Sequence, residues 1–343
     1  RQPLNWDPKS GGIMMRRFIA VMAVLAFTTC LMLTAAEAQV KPGWPKGVTI
    51  GAAPLGGTYF VWAGGFAKLL NDKVGVPANV ESTGGPVHNV QLLQAKNLDF
   101  GMVTSAPAYE GFVGDPEGWS KGKKHPDIRV IFPMYTTYFQ MYSLKDTGIK
   151  SILDLNGKSV GVGPVGGTPA TYWPKILQEA GIKPKRIVNA GSSDLNSQLK
   201  DGMLDANGQS VGLPWVTITE VETTHDVNVY GVPADIAKKI NEKIPSLALG
   251  SMPKGTYKSN PDHDIPTLTV WNFMAVHKDA PEDFVYEVLK ATFANVDILI
   301  AAHKSAQEVK PEAIAYSPIP LHPGAVKFYK EKGIAIPDKL IAK

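Results

Sequence analysis

The segment Gly51-Ala52-Ala53-Pro54-Leu55-Gly56-Gly57-Thr58 recurs 110 residues later as Gly161-Val162-Gly163-Pro164-Val165-Gly166-Gly167-Thr168. Each copy follows a short β-branched run, Val48-Thr49-Ile50 or Ser159-Val160, and precedes a segment of helical composition. Paired glycines permit a sharp strand-to-helix turn and close approach of backbone to a ligand. The closing Thr can cap the helix, whose first-turn N–H groups attract negative or strongly polar groups. The correspondence continues downstream. Asn79–Ser82 matches Arg186–Asn189 as a second strand, Leu98-Asp99 matches Leu204-Asp205, and Asp127–Val130 matches Asp226–Val229. Self-similarity on this scale predicts two α/β lobes of related topology. Ligands of such sheets bind beyond the carboxyl ends of the strands, so two facing Gly-Gly-Thr turns would frame a cleft.

A chain of 343 residues can hold two domains and bury a sizeable core. With 44% hydrophobic and 19% charged residues it has the composition of an ordinary globular protein. The formal charge of +4 is mild and shows no basic stripe with interleaved aromatics, which argues against nucleic acid as a partner. Near the start, Met14-Met15-Arg16-Arg17, the apolar run Phe18–Leu33 and Ala36-Glu37-Ala38 read as a secretory leader. The run is short for a membrane span. Residues 14–38 are therefore expected to be a signal peptide cleaved after Ala38, giving a periplasmic protein, and residues 1–13 an upstream extension. The single cysteine, Cys30, lies within that leader, and the residues before it fit a lipoprotein box poorly. The exported part then folds without disulfides.

Taken in order, strand Val48–Ala52 leads to a helix over Thr58–Lys73, and strand Ala78–Ser82 to a helix starting near Val87. Strand Leu98–Thr104 precedes a further helix, and Asp115–Asp127 is an exposed loop. Strand Ile128–Tyr135 reaches a first crossing between lobes at Tyr135–Tyr138. The second lobe carries strands at Ser159–Gly163, Arg186–Ala190, Leu204–Gln209 and Val227–Gly231, with a helix over Pro233–Ile244. Residues 245–267 show no clear period. Thr267–His277 is a returning strand, and Phe284–His303 and Pro323–Glu331 read as helices. This places lobe one at 47–136 plus 268–343 and lobe two at 137–267.

Gly161-x-Gly163-x-x-Gly166 fits the glycine spacing of a dinucleotide fingerprint, but the following strand ends Val188-Asn189-Ala190 without the required acid. Gly167 stands where a phosphate loop needs Lys. Asp262-His263-Asp264 is the one cluster with metal-ligand chemistry, and its Pro-rich setting favours a solvated turn. Asp99 and Asp205 sit at strand starts, away from the expected cleft, as structural turn residues. The strand-end loops instead supply Gly57, Thr58, Tyr59, Thr83, Gly84, Gly85, Thr104, Ser105, Tyr135, Tyr138, Gly167, Thr168, Trp173, Gln209 and Trp215. These are backbone donors, hydroxyls, an amide and aromatic rings, with no Lys or Arg. A carboxylate would be met by helix N-termini and hydroxyls, and polar anchors beside aromatic walls are how small-molecule pockets are lined.

The chain resembles the extracytoplasmic solute-binding subunits of TRAP transporters of the TAXI type. The resemblance runs from about Val48 to Ile336. It rests on Gly56-Gly57-Thr58-Tyr59, Ser82-Thr83-Gly84-Gly85 with Val87 and Asn89, and Leu98-Asp99. It continues with Leu153–Lys158, Asp201–Ala206, Pro253–Tyr257, Val285-Tyr286 and Leu321-His322-Pro323-Gly324-Ala325. It implies a two-lobed periplasmic binding protein (type II-like), each lobe a mostly parallel sheet flanked by helices, the lobes joined by two hinge strands. It also implies a monomer, without catalytic activity, cofactor or metal, that carries a small organic or amino acid to TRAP membrane subunits, here a fused permease. Thr58 and Tyr59 carry over as ligand contacts, followed by Thr83 and Gly85. Phe60, Pro86 and Thr104-Ser105-Ala106-Pro107 depart from the family pattern around the pocket. Two other classes stay open on sequence: an exported enzyme with a nucleotide-like cofactor, and a periplasmic sensor or surface antigen without a transport partner.

Overall fold

The first turn opens where β1 (Val48–Gly51) ends. There Gly56 takes φ +84° and Gly57 lies extended, before α1 (Thr58–Leu69) begins. The second copy repeats this backbone between β5 (Ser159–Gly161) and α4 (Thr168–Glu179), with Gly166 at φ +89°. A left-handed residue at that point is what glycine supplies and β-carbon-bearing residues resist. The computed structural model describes residues 41–342. The expected upstream extension and leader lie outside the described residues. From Pro42 onward the chain forms one compact unit. Among the described residues no helix is long and apolar enough to cross a membrane.

The remaining elements follow from α1 through β2 (Ala78–Glu81), α2 (Pro86–Gln94), β3 (Phe100–Thr104) and α3 (Ser105–Val113) to the long strand β4 (Ile128–Leu144). After β5 and α4 come β6 (Arg186–Val188), α5 (Ser192–Lys200), β7 (Ala206–Val211), α6 (Val216–Val221), β8 (Val227–Tyr230), α7 (Ala234–Lys243) and β9 (Ala248–Met252). The chain returns along β10 (Ile265–His277) and closes with α8 (Glu282–Ala294), α9 (Val296–Ala302) and α10 (Pro323–Glu331).

The strands run in the order β2-β1-β3-β10-β4-β7-β5-β6, with β8 beside β4 and β9 beside β10. β1 pairs parallel with β2 and β3, and β5 pairs parallel with β6 and β7. β10 is the antiparallel partner of β3, and β4 that of β7. The two halves of the sheet are thus the same arrangement built twice, and the fold is two-lobed α/β with a curled mixed sheet. Both halves also begin alike. Asp99 Oδ2 accepts the Thr49 N–H at 2.8 Å, and Asp205 Oδ2 accepts the Ser159 N–H at 2.7 Å. Each carboxylate satisfies an edge donor at the amino end of its strand, the role of a structural turn.

The core is aromatic in the first half. Trp62, Phe66, Phe100 and Phe132 are fully buried, with Trp62 stacked on Phe132 at 6.1 Å and Phe66 edge-on to Phe100 at 5.4 Å. In the second half one cluster gathers Phe139, Tyr172, Trp173 and Ile176 against β5 and β7, and another packs Tyr142, Trp215 and Ile218. Truncating such a ring to Ala typically costs about 3–5 kcal/mol. Two expectations need correction. Residues 245–267 contain β9, which pairs with Ile265–Thr269 of β10. Its side chains are mostly exposed and lack alternation, so the neighbouring strand rather than a pattern imposes it. The helix expected over Phe284–His303 is two helices, because Asn295 leaves the helical region (φ −137°, ψ 42°) and donates its amide to Ala291 O at 2.8 Å.

Two local starts are capped by histidine. His322 Nδ1 accepts the Gly324 N–H at 3.2 Å at the start of α10, and His303 Nδ1 accepts the Ser305 N–H at 3.1 Å. Both caps require an unprotonated Nδ1, and burial lowers both pKa values from the ordinary imidazole value. The unfolded chain therefore binds these protons more tightly. Their contribution to stability is full above about pH 6.5 and is lost as pH falls through the depressed folded values. The midpoint of thermal unfolding, followed by circular dichroism, is expected to fall between pH 7 and pH 5. His322→Asn, which keeps an acceptor that does not titrate, is expected to flatten that dependence.

Candidate functional site

Parallel strands joined by right-handed crossovers deliver each following helix with its N-terminus at the carboxyl edge of the sheet. Five helix starts converge here on one cavity of about 510 Å³, mouth included. Gly57 and Thr58 open α1, Gly85 and Pro86 open α2, and Thr104 precedes α3. From the other half, Gly167 and Thr168 open α4, and Ser192 opens α5. None of the five has a side-chain cap. The first-turn N–H groups of a helix lack intrahelical partners, and the helix dipoles add positive potential at the same place.

β4, β7 and β10 make the floor, with Tyr135, Thr137, Gln209, Ser210, Val211 and Asn272. Asn272 sits where the β10–β4 register shifts between Trp271 and Phe273. Its side chain satisfies the Tyr135 carbonyl that the slip leaves out of the ladder and ties two hydroxyls to it. Nδ2 donates to Tyr135 O at 2.7 Å and to Thr137 Oγ1, while Oδ1 accepts the Tyr59 hydroxyl at 2.6 Å. Burial holds the pKa of Tyr59 and Tyr135 well above the ordinary phenol value, so both are neutral hydroxyls at physiological pH. Tyr135 Oη, Gln209 Nε2 and Ser210 Oγ are buried without a hydrogen-bond partner. Buried polar atoms of this kind call for an occupant, since leaving a donor unmade costs about 1–3 kcal/mol.

Each Gly-Gly-Thr turn meets a helix start of the other half: Gly166-Gly167 faces the Thr83-Gly84-Gly85 turn that opens α2, and a β-carbon on Gly56 would stand 2.6 Å from Ser193 Oγ at the start of α5. The Val87 N–H donates to Gly166 O at 2.9 Å, so the second turn caps α2 with its own carbonyl. A β-carbon on Gly84 would stand 2.6 Å from Val165 O, and one on Gly85 3.1 Å from Gly167 Cα. Only bare backbone allows that approach. Thr104 and Thr168 share a buried hydroxyl pair at 2.8 Å. Farther out, the Tyr172 hydroxyl donates to Glu110 Oε1 at 2.6 Å, while Glu110 Oε2 accepts the Trp119 N–H at 3.0 Å.

Of the residues expected from sequence, the cavity wall brings together Gly57, Thr58, Tyr59, Gly84, Gly85, Thr104, Tyr135, Gly167, Thr168 and Gln209. The other five stand behind or beside it, Trp173 in the buried cluster with Phe139 and Tyr172. Thr83 Oγ1 accepts the Gly85 N–H at 3.1 Å and lies 2.6 Å from Asn89 Oδ1, which shapes the α2 start from beneath. Ser105 is the first residue of α3, and the preceding Thr104 lines the wall in its place. Tyr138 packs on the Tyr142–Trp215 cluster. Trp215 is buried in that cluster and donates Nε1 to Ser192 Oγ at 3.0 Å. Asn272, Ser192 and Ser210 were not singled out by sequence. A lone amide inside the apolar run Val270–Met274 was the available signal for Asn272, and alignment of Gly191-Ser192 with Gly85-Pro86 was that for Ser192. Asn189, where a dinucleotide site wants an acid, donates to Gly163 O at 3.0 Å. Asp264 Oδ1 accepts the Lys254 N–H at 2.8 Å, and among the described residues no group of three or more His, Cys, Asp or Glu side chains is placed to hold a metal.

Asn272→Ala removes the acceptor of the Tyr59 hydroxyl and the donor to Tyr135 O together. A loss of about 1–3 kcal/mol in unfolding free energy is expected by urea titration, with the slope of the transition unchanged.

Solved structures share this architecture. The periplasmic binding protein BugD aligns over 86% of this chain and 100% of its own, at 14% identity and TM-score 0.53. MatC from Rhodopseudomonas palustris, solved with bound malate, aligns over 84% and 96%, at 13% identity and TM-score 0.55. Residues 50–333 match the NMT1-like family. The match spans both Gly-Gly-Thr turns, the crossing strands and every helix start at the cavity, and the chain belongs to the NMT1-like family.

Proposed function

We propose that this chain is an exported solute-binding protein of the TAXI type that captures a small carboxylate-bearing solute and delivers it to TRAP membrane subunits, acting as a monomer on a fused permease. One observation carries the reading. Uncapped helix starts from both halves surround a cavity whose floor holds buried, unpartnered Tyr135, Gln209 and Ser210. Donors without partners, under converging positive dipoles, suit a carboxylate. The reading assigns the site no chemical step and no cofactor. Export through the leader at 14–38, cleaved after Ala38, puts the protein in the periplasm.

Capture then works by closure. Lobe one (47–136 plus 268–343) and lobe two (137–267) pivot about β4 and β10 near Tyr135–Gln140 and Thr267–Asn272. The meeting of Val87 with Gly166, Thr104 with Thr168 and Glu110 with Tyr172 describes the closed form. A solute shifts the balance toward closure only by its differential affinity for the closed arrangement. The acceptors Glu110 and Gly166 hold the lobes without touching the solute.

Replacing Thr58 and Tyr59 together by Ala is expected to weaken solute binding at least tenfold, about 1.4 kcal/mol, by calorimetry. Unchanged affinity would remove the first turn from the site. Tyr172→Phe takes one donor from the buried Glu110 carboxyl on closure only. It is expected to lower affinity severalfold and to enlarge the radius of gyration of the solute-bound protein in small-angle scattering, while an unchanged radius and affinity would show that this pair plays no part in closure.

A further inference from the structure

The cavity is ringed by helix N-termini and lined by uncharged side chains. Among the described residues its wall holds no Lys, Arg, His, Asp or Glu. The fully buried side-chain atoms of the wall that lack a partner are Gln209 Nε2, a donor only, and the hydroxyls of Tyr135 and Ser210. Tyr135 and Gln209 are more than nine-tenths buried.

Several acceptors around the cavity are already committed to protein donors. Gly166 O takes the Val87 N–H, Pro164 O the Gly167 N–H, and Gly167 O the Thr171 hydroxyl at 3.0 Å. On the floor, Gln209 O takes Trp173 Nε1 at 3.2 Å, and Tyr135 O takes Asn272 Nδ2. Asn272 Oδ1 is occupied by the Tyr59 hydroxyl. The neighbouring buried carboxyl, Glu110, is filled by Tyr172 and Trp119 and does not line the wall.

An ammonium group carries three donors and a positive charge. Seated here it would meet helix N-termini of its own sign and no carboxylate to pair with. A buried charge without a partner is strongly unfavourable. A carboxylate, an oxo group or a hydroxyl finds the opposite: donors waiting on several sides. We infer that the solute is a small carboxylic acid without an amine, an oxo acid or hydroxy acid. Its carboxylate rests on the uncapped starts of α1 and α4, and its second oxygen group accepts from Gln209 Nε2. The inference rests on the reading of this cavity as the solute site and narrows it from organic or amino acids to amine-free acids.

The test titrates the exported chain, unfolded in guanidinium to remove co-purified solute and refolded, with pairs of identical carbon skeleton. Pyruvate is paired with alanine, 2-oxoisocaproate with leucine, and 2-oxoglutarate with glutamate. In every pair that binds, calorimetry is expected to show the oxo acid at least tenfold tighter than the amino acid. Gln209→Glu, checked for an unchanged melting temperature, is expected to weaken the oxo acid at least tenfold. An amino acid that binds as tightly as its oxo partner overturns the inference and leaves solute capture standing. Binding by neither member of any pair overturns carboxylate capture itself, and this inference with it.

Discussion

Everything at the centre of this protein depends on backbone donors being brought together without side chains to satisfy them. Parallel strands aim their following helices at one edge of the sheet, and the duplicated arrangement aims two such sets at each other. Glycines then let each Gly-Gly-Thr turn close on the other half, Gly166-Gly167 against Gly84-Gly85 and Gly56 against Ser192-Ser193, where a β-carbon on Gly84 or Gly56 would come within 2.6 Å of a neighbouring atom. With Gly57, Gly85 and Gly167 preceding three of the helices, no side chain stands ready to cap them. The result is a cavity whose polarity belongs to the main chain. Such polarity is fixed in direction and costs little reorganisation when a ligand arrives.

The floor of that cavity depends on a defect in the sheet. Where β10 slips against β4, Tyr135 has no partner in the ladder register. Asn272 repairs the ladder with its side chain and in the same stroke fixes the Tyr59 ring and the carbonyl of Tyr135. Bulges re-aim side chains and bend strands where they occur. This one lies on the two strands that join the halves, beside the cavity. A single amide therefore links the geometry of the crossing strands to that of the wall.

Much of this was legible in the chain before any coordinates. The repeat of G-x-x-P-[Leu/Val]-G-G-T announced matched strand-turn-helix units, and both copies share their backbone angles at Gly56 and Gly166. The strand-start aspartates were legible for the same reason: a repeated Leu-Asp at equivalent places has a repeated local task, and Asp99 and Asp205 perform it on Thr49 and Ser159. Thr83, Ser105, Tyr138 and Trp215 show where reading by loops stops. Each lies beside a strand end, as expected, yet side-chain direction puts it behind or beside the wall. β9 and the break at Asn295 escaped because neither carries a local pattern: one is held by its neighbour, the other by a side chain bonding its own backbone.

The sequence by itself determined the repeating unit, the uncharged character of the strand-end loops and the glycines at their turns, because these are local matters of conformational freedom and residue type. Tertiary structure alone decided which donors remain free. Whether the carbonyls of Gln209 and Tyr135 are taken depends on Trp173 and Asn272, residues 36 and 137 positions away along the chain. A hydrogen bond is made or missed by a fraction of an ångström across that distance. No window of sequence contains that information.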